Sequence, residues 1–230
     1  MSILLDGTND ALTNTGTPPV TAPPFTLACW LKLSATGTND ALIAIGQSGS
    51  ADHYHRIYLN TTGALLCTTR DTTSSNSTTA GTVADTTTWH LAVGVWAATN
   101  SRTAYLDGVA ATTNTGPRAI TTPAAMRVGE SMSLADDFAG RIAHMAAWNV
   151  ALTQGNIDSL YAGALPTSVQ SGNLVWYVDA LTNENPMQDA IGSYDLTFVE
   201  DAAYDADNPT LASTAAAPTL FQTRSAMRWI

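Results

Sequence analysis

Residues Trp89 to Gly108 read Trp-His-Leu-Ala-Val-Gly-Val-Trp-Ala-Ala-Thr-Asn-Ser-Arg-Thr-Ala-Tyr-Leu-Asp-Gly, and this stretch limits the fold more than any other. Trp89, Leu91, Val93 and Val95 alternate with His90, Ala92, Gly94 and Trp96. A period of two marks a strand, because successive side chains of an extended backbone point to opposite faces. One face is large and apolar, fit for a core; the other is small, with Trp96 at its end. Ala97 to Arg102 reads as a polar turn, and Thr103 to Leu106 returns as the partner strand. Asp107-Gly108 then supplies the positive-φ position for the next reversal. A lone hairpin is marginal in water, so a larger sheet is expected around it.

The rest of the chain repeats the theme. Strands are expected at Ser2–Leu5, Phe25–Leu33, Ala41–Ile45, Asp52–Leu59, Ala64–Arg70, Met126–Gly129, Phe138–Trp148, Asn173–Asp179 and Tyr194–Glu200. Phe25, Leu27, Cys29, Leu31 and Leu33 share one face of their strand, and Phe138, Gly140, Ile142, His144, Ala146 and Trp148 share one face of theirs. Thr8–Pro24 and Ala110–Pro123 read as loops. Asp71–Thr88, rich in Ser and Thr, is either a loop or a weak strand. One helix is expected, capped by Thr153, with Ile157, Leu160 and Tyr161 as its apolar stripe and Gly163 and Pro166 as its stop. Many short strands, regular turn signals and a single short helix give an all-β class, a two-sheet antiparallel sandwich or jelly roll. It would span residues 1–200. Residues 201–230 carry neither period and read as an extended C-terminal tail.

Composition narrows the function. Among 230 residues, hydrophobic types make up 45% and charged types only 12%, so the core is ample and the surface is largely Thr, Ser, Asn and Ala. The net charge is -10, with nine basic residues, of which only Lys32 is a lysine. Nucleic acid is not an expected partner, because phosphate neutralisation needs grouped Lys and Arg. An anionic membrane surface is disfavoured for the same reason. No apolar run is long enough to span a bilayer. The N-terminal Met-Ser-Ile-Leu-Leu-Asp-Gly lacks the basic and apolar regions of a secretory signal. Cys29 and Cys67 sit in strand-like runs and are expected as buried free thiols.

Several stretches together resemble the laminin G-like/concanavalin A-like superfamily, in its pentraxin-like branch found in bacterial and phage proteins. Leu4–Ala11, Leu-Leu-Asp-Gly-Thr-Asn-Asp-Ala, is similar to that family's opening motif, and Pro24–Lys32 to its second strand. Trp89–Val93 with Tyr105–Gly108 is similar to its central hairpin. Val128-Gly129, Phe138–Ile142, Ala151–Thr153 and Ile157–Tyr161 are similar to its closing strand and helix. The resemblance covers roughly residues 2 to 200 in order, and it implies a two-sheet jelly roll. Function does not follow from such a fold, which hosts lectins, hydrolases and structural modules.

Candidate sites are few. In the fold that the resemblance implies, Trp96, Trp30 and Tyr58 are the candidate sugar-stacking rings, set against a plainer core or interface role. Asp136 and Asp137 sit where related domains bring carboxylates to the sheet rim; with Asp6 or Asp10 they are the candidate Ca²⁺ ligands, set against a solvated turn. His53 and His55 would share one side of a strand, a spacing that takes a transition metal, but two exposed imidazoles at a polar edge is the favoured reading. His90 and His144 read as partly buried structural histidines. Glu130, Glu184 and Glu200 are the only glutamates, and no close catalytic pair is present, so no hydrolase is expected.

Two functional expectations follow. The first is a non-enzymatic structural protein of a bacteriophage virion, a capsid-decoration or appendage component. It would be made in the host cytoplasm, be carried on the virion surface, and bind copies of itself or a capsid or tail protein. Phe221, Met227, Trp229 and Ile230 would be the apolar anchors of its tail, and Arg224 and Arg228 would pair with acidic surface. The alternative is a glycan-binding adhesin or carbohydrate-binding module with a Ca²⁺-dependent site that includes Trp96.

Overall fold

The computed structural model describes residues 1–72, 74–180 and 184–211. The chain opens with β1 (Ser2–Asp6), β2 (Ala11–Asn14), β3 (Phe25–Leu33), β4 (Asp40–Gly46) and β5 (Tyr54–Leu59). It continues through β6 (Ala64–Arg70), β7 (Ser75–Thr82), β8 (His90–Ala98), β9 (Ser101–Leu106) and β10 (Val109–Ala110). The last strands are β11 (Ala125–Val128), β12 (Ala139–Trp148), β13 (Leu174–Val178), β14 (Thr197–Val199) and β15 (Ala203–Asp205), with helix α1 (Gln154–Tyr161) after β12. The strands form two sheets, the two-layer antiparallel jelly roll expected from the alternation. One holds eight strands, ordered β10-β9-β8-β3-β12-β1-β15, with β13 also on β12; the other holds seven, ordered β14-β2-β11-β4-β5-β6-β7.

Strand β12 is long enough to take two neighbours along one edge. Its first half pairs with β1 and its second half with β13. Between them the ladder to β3 is interrupted from Ala143 to Ala146, where His144 takes φ 48°. An extra residue in a strand switches which face its side chains use. Phe138 and Ile142 accordingly face the other sheet, whereas beyond the bulge Met145 and Ala147 do so and Ala146 and Trp148 turn outward. The uniform six-residue face expected for this strand is thereby corrected.

The main core lies between the sheets, built from Leu27, Leu31, Ile43, Ile57, Trp96, Met126 and their neighbours. A second apolar layer lies on the outer face of the eight-stranded sheet, where Trp30, Leu91, Val93 and Trp148 meet Ile157 and Leu160 of α1. In β8 the faces are the reverse of the sequence expectation. Leu91, Val93 and Val95, the large face, pack under α1, and the small face with Trp96 meets the opposite sheet. Gly94 is the reason. A Cβ there would lie 2.5 Å from Ile57 Cγ2 and 2.8 Å from the Trp96 ring, so the sheets close up around the indole.

Thr153 caps α1 as expected, its hydroxyl accepting from the Asn156 backbone N–H in a reciprocal capping box. Tyr161, expected in the apolar stripe, is instead 48% exposed. β2 lies inside the expected Thr8–Pro24 loop, and the short strands β10 and β15 were not expected either, whereas β7 settles the Asp71–Thr88 segment, read as a loop or a weak strand, in favour of the strand. Cys29 and Cys67 are free and buried, and burial pushes both thiols well up.

Beyond residue 200 the chain still belongs to the sandwich. β15 pairs with β1, Arg141 binds Asp205 at 3.0 Å, and Asp207 takes Lys32 at 2.8 Å and the Trp89 Nε1–H at 3.0 Å. Leu211 packs against the apolar layer beneath α1. The tail residues Phe221, Arg224, Met227, Arg228, Trp229 and Ile230 lie outside the described residues.

Candidate functional site

The two outer faces of the sandwich differ. That of the eight-stranded sheet is covered by α1 and by the segment that Asp207 ties down across Lys32 and Trp89. On the seven-stranded sheet, the β11–β12 loop covers one side by placing buried Met132 against Ala44, Tyr54 and Ala125. The remaining surface is formed by β5, β6 and β7, where Arg56, Tyr58, Leu66, Arg70 and Ser77 are half-buried and Tyr54 and Thr68 are buried.

Alternation in β5 sends His55, Ile57 and Leu59 inward and Tyr54, Arg56 and Tyr58 outward. The Arg56 guanidinium lies over both rings, 3.9 Å from the Tyr58 centroid and 5.0 Å from that of Tyr54. Its Nη1 donates to Asp136 Oδ2 at 2.7 Å. Two rings and a carboxylate therefore hold the guanidinium in one orientation, a combination of cation–π and charge-assisted contacts. Next to it, the Thr68 and Ser77 hydroxyls share a 2.7 Å hydrogen bond, and Arg70 binds Asp52 at 2.6 Å. On the loop side Arg127 is joined to Glu130, whose carboxyl is raised by burial. Asp40 is raised for the same reason, although the Thr38 hydroxyl donates to it.

The structure separates the three candidate rings. Trp96 has no exposed surface; it stacks on Phe25 at 4.7 Å and donates from Nε1 to the buried Thr69 hydroxyl. It is a core residue and not a sugar platform. Trp30 is 9% exposed, lies on the opposite sheet and has the Tyr161 ring over it at 6.4 Å. Tyr58 alone reaches the open face, and Arg56 covers one side of its ring. Sequence reasoning missed Arg56, although its i−2 and i+2 neighbours are both tyrosines. The clue was present in the strand period.

Three of the four candidate carboxylates hold partners within the fold. Asp136 holds Arg56, and Asp137 Oδ1 is buried with no hydrogen-bond partner. Asp10 accepts the backbone N–H groups of Asp6 and Asp201, and Asp6 accepts that of Thr8. Ca²⁺ takes six to eight oxygens, and among the described residues no group of three or more His, Cys, Asp or Glu is placed to hold a metal.

Three of the four histidines are hydrogen-bonded through their rings within the fold. His53 precedes β5 with φ 60°, so it does not share a face with His55, and the His-x-His pair does not form. His55 shares a 2.9 Å hydrogen bond with the Thr69 hydroxyl, and burial lowers it to about 3. His144 meets the Tyr177 hydroxyl at 2.7 Å and is lowered by burial to about 4. His90 is raised by its 2.7 Å hydrogen bond to Asp107, with Asp85 at 3.4 Å on the other nitrogen. A cleft of about 570 Å³ between the β2–β3 loop and the segment before β11 is lined by Thr17, Thr21, Ala22, Ile120, Thr122, Pro123 and Ala124. It offers neither an ionisable group nor an aromatic ring.

A two-sheet antiparallel sandwich with one outer face covered is a fold shared by lectins, hydrolases and structural modules. The chain belongs to the concanavalin A-like lectin/glucanases superfamily, whose family model matches residues 6–158. No curated protein sequence matches it. Among solved structures, it is similar to a candidate carbohydrate-binding protein from Bacteroides ovatus (TM-score 0.65, 15% identity, covering 92% of this chain and 62% of that one). A heptameric SAP-like pentraxin from Limulus polyphemus aligns with TM-score 0.60 and 13% identity over 89% of this chain and 95% of that one. The sialidase CBM40 of Ruminococcus gnavus, bound to α2,3-sialyllactose, aligns with TM-score 0.53 and 14% identity over 61% of this chain and 84% of that one. At these identities the likeness establishes the fold.

Proposed function

We propose that this chain is a glycan-binding module that works through the outer face of β5, β6 and β7 and performs no catalysis. The observation that carries the reading is the Tyr58–Arg56–Asp136 arrangement on the open sheet. A guanidinium held flat by rings and a carboxylate is a preorganised donor set, and little side-chain entropy remains to be lost when a ligand binds. Superfamily membership supports it, as do the Bacteroides ovatus and Ruminococcus gnavus relatives, whose names state carbohydrate binding. The test is a glycan array followed by calorimetry. Arg56→Ala and Tyr58→Ala should each weaken binding at least tenfold while leaving the circular dichroism spectrum intact. An array blank for the unaltered protein would sink the proposal.

A second reading is a structural component of a bacteriophage virion, carried on its surface beside copies of itself or a capsid or tail protein. What favours it is an asymmetry of charge: all 19 acidic residues precede residue 212, whereas residues 212–230 hold Arg224 and Arg228, four large apolar anchors and no acid. Such a segment suits the acidic surface of a neighbour. Deleting residues 212–230 should then leave a folded protein of lower oligomeric mass in solution; an unchanged mass would count against it. The two readings are compatible, because a virion component can also be an adhesin.

A further inference from the structure

We infer that the glycan taken by this face is uncharged, a neutral hydroxyl-rich pyranoside and not a sialylated, uronic or sulfated one. The inference rests on the glycan-binding reading above and concerns its ligand class. A ligand carboxylate or sulfate is held by a cation whose charge is not already answered. Here each arginine of the face has its own acid: Arg56 holds Asp136 at 2.7 Å, Arg70 holds Asp52 at 2.6 Å, and Arg127 holds Glu130. At the rim Arg118 holds Asp71 at 2.9 Å.

Two further acids leave the region with negative charge in excess. Asp40 is 2% exposed, receives a hydroxyl rather than a cation, and feels the charge of Asp136. Asp137 lies close enough to Glu130 to raise it, and its Oδ1 is buried with no hydrogen-bond partner. An incoming anion would have to displace an acid from its arginine while meeting this excess, and like charges at short range repel. A neutral sugar meets no such obstacle. A guanidinium–carboxylate pair presents N–H donors beside an oxygen acceptor, and vicinal hydroxyls both accept and donate. Ser77, half-buried and hydrogen-bonded to the buried Thr68 hydroxyl, carries the same uncharged surface onto β7.

The experiment uses the full chain on an array of matched glycan pairs whose members differ only by a sialic acid, a uronic acid or a sulfate. Calorimetry on the best pair follows, at low and at physiological salt. The expected result is neutral members bound at least tenfold more tightly than their acidic partners, with the gap narrowing as salt screens the repulsion. Asp137→Asn, which removes one negative charge beside the face, should narrow the gap further at low salt. Acidic members bound more tightly, by a margin that grows at low salt, would overturn the ligand class and leave the glycan-binding reading standing. No binding to either member of any pair would overturn that reading and this inference with it.

Discussion

Trp96 shows how one side chain's meaning depends on its surroundings. Its strand alternates cleanly, and the indole sits on the face with the smallest neighbours, which in isolation suggests a ring left for a ligand. In the folded chain those small neighbours let the two sheets approach, and the ring fills the space between them, with Phe25 on its face and His55 edge-on at 5.5 Å. Removing it would leave a cavity lined by Ile57 and Phe25 and strip the Thr69 hydroxyl of a donor. Trp96→Ala is expected to lower the unfolding free energy by about 3–5 kcal/mol in urea titration, the range for deleting a large buried ring. Its effect should appear in stability. Arg102 is a comparable case: wholly buried, its guanidinium donates to Asn114 Oδ1 and to the carbonyls of Gly116 and Thr99. It thereby fastens the segment after β10, which crosses the edge strand β7 through Asn114 Nδ2 to the Ser77 carbonyl.

At the scale of elements, the sandwich keeps its edges short or covered. β10, β14 and β15 have two or three residues each, and β7 is the strand that Asn114 screens. Short or covered edges offer little template for pairing with another chain. β15 has a second task. It pairs with the outer edge of β1 and starts the crossing that ends with Leu211 on the apolar layer. A form ending at Glu200 would leave β1 unpaired on that side, Arg141 and Lys32 without the acids they bind, and Trp89 without its acceptor. We expect it to melt at least 5 °C below a form ending at Leu211, in line with a loss of about 2 kcal/mol in a protein of this size, as read by differential scanning calorimetry. Equal melting temperatures would show that the crossing segment contributes nothing.

For the molecule as a whole, pH acts through histidines at three depths. His55 and His144 are lowered to about 3 and about 4, so in the folded chain they stay neutral well below the ordinary value of 6.5. The unfolded chain takes up those protons first. Their neutral forms therefore contribute stability that is present above pH 6.5 and is lost as pH falls from 6.5 toward 4. Asp40 and Glu130, raised by burial, take up protons in the folded chain and offset part of that loss. His90 has the opposite sign: its raised value means a contribution complete below 6.5 and lost as pH climbs through that value. The expected profile of melting temperature has its maximum close to pH 6.5 and falls on both sides. His144→Gln should flatten the acid limb, and Asp107→Asn the alkaline one.

Much of this architecture was legible from one chain read in order. The exact bounds of β3, the hairpin of β8 and β9, the Thr153 cap and the buried thiols all follow from local rules. Alternation, capping and turn chemistry act over a few residues and leave their mark there. Which face of β8 looks inward was not legible, because it depends on Ile57 of the other sheet meeting Gly94. Nor was the reversal of faces along β12, which turns on a single bulge at His144. The candidate site belongs to the same category: Tyr58 was visible as a ring, but Arg56 lies across it and Asp136 reaches it from a loop 80 residues away. Covalent neighbours determine local conformation. The partners that a side chain touches across two stacked sheets are decided only once the sheets have closed.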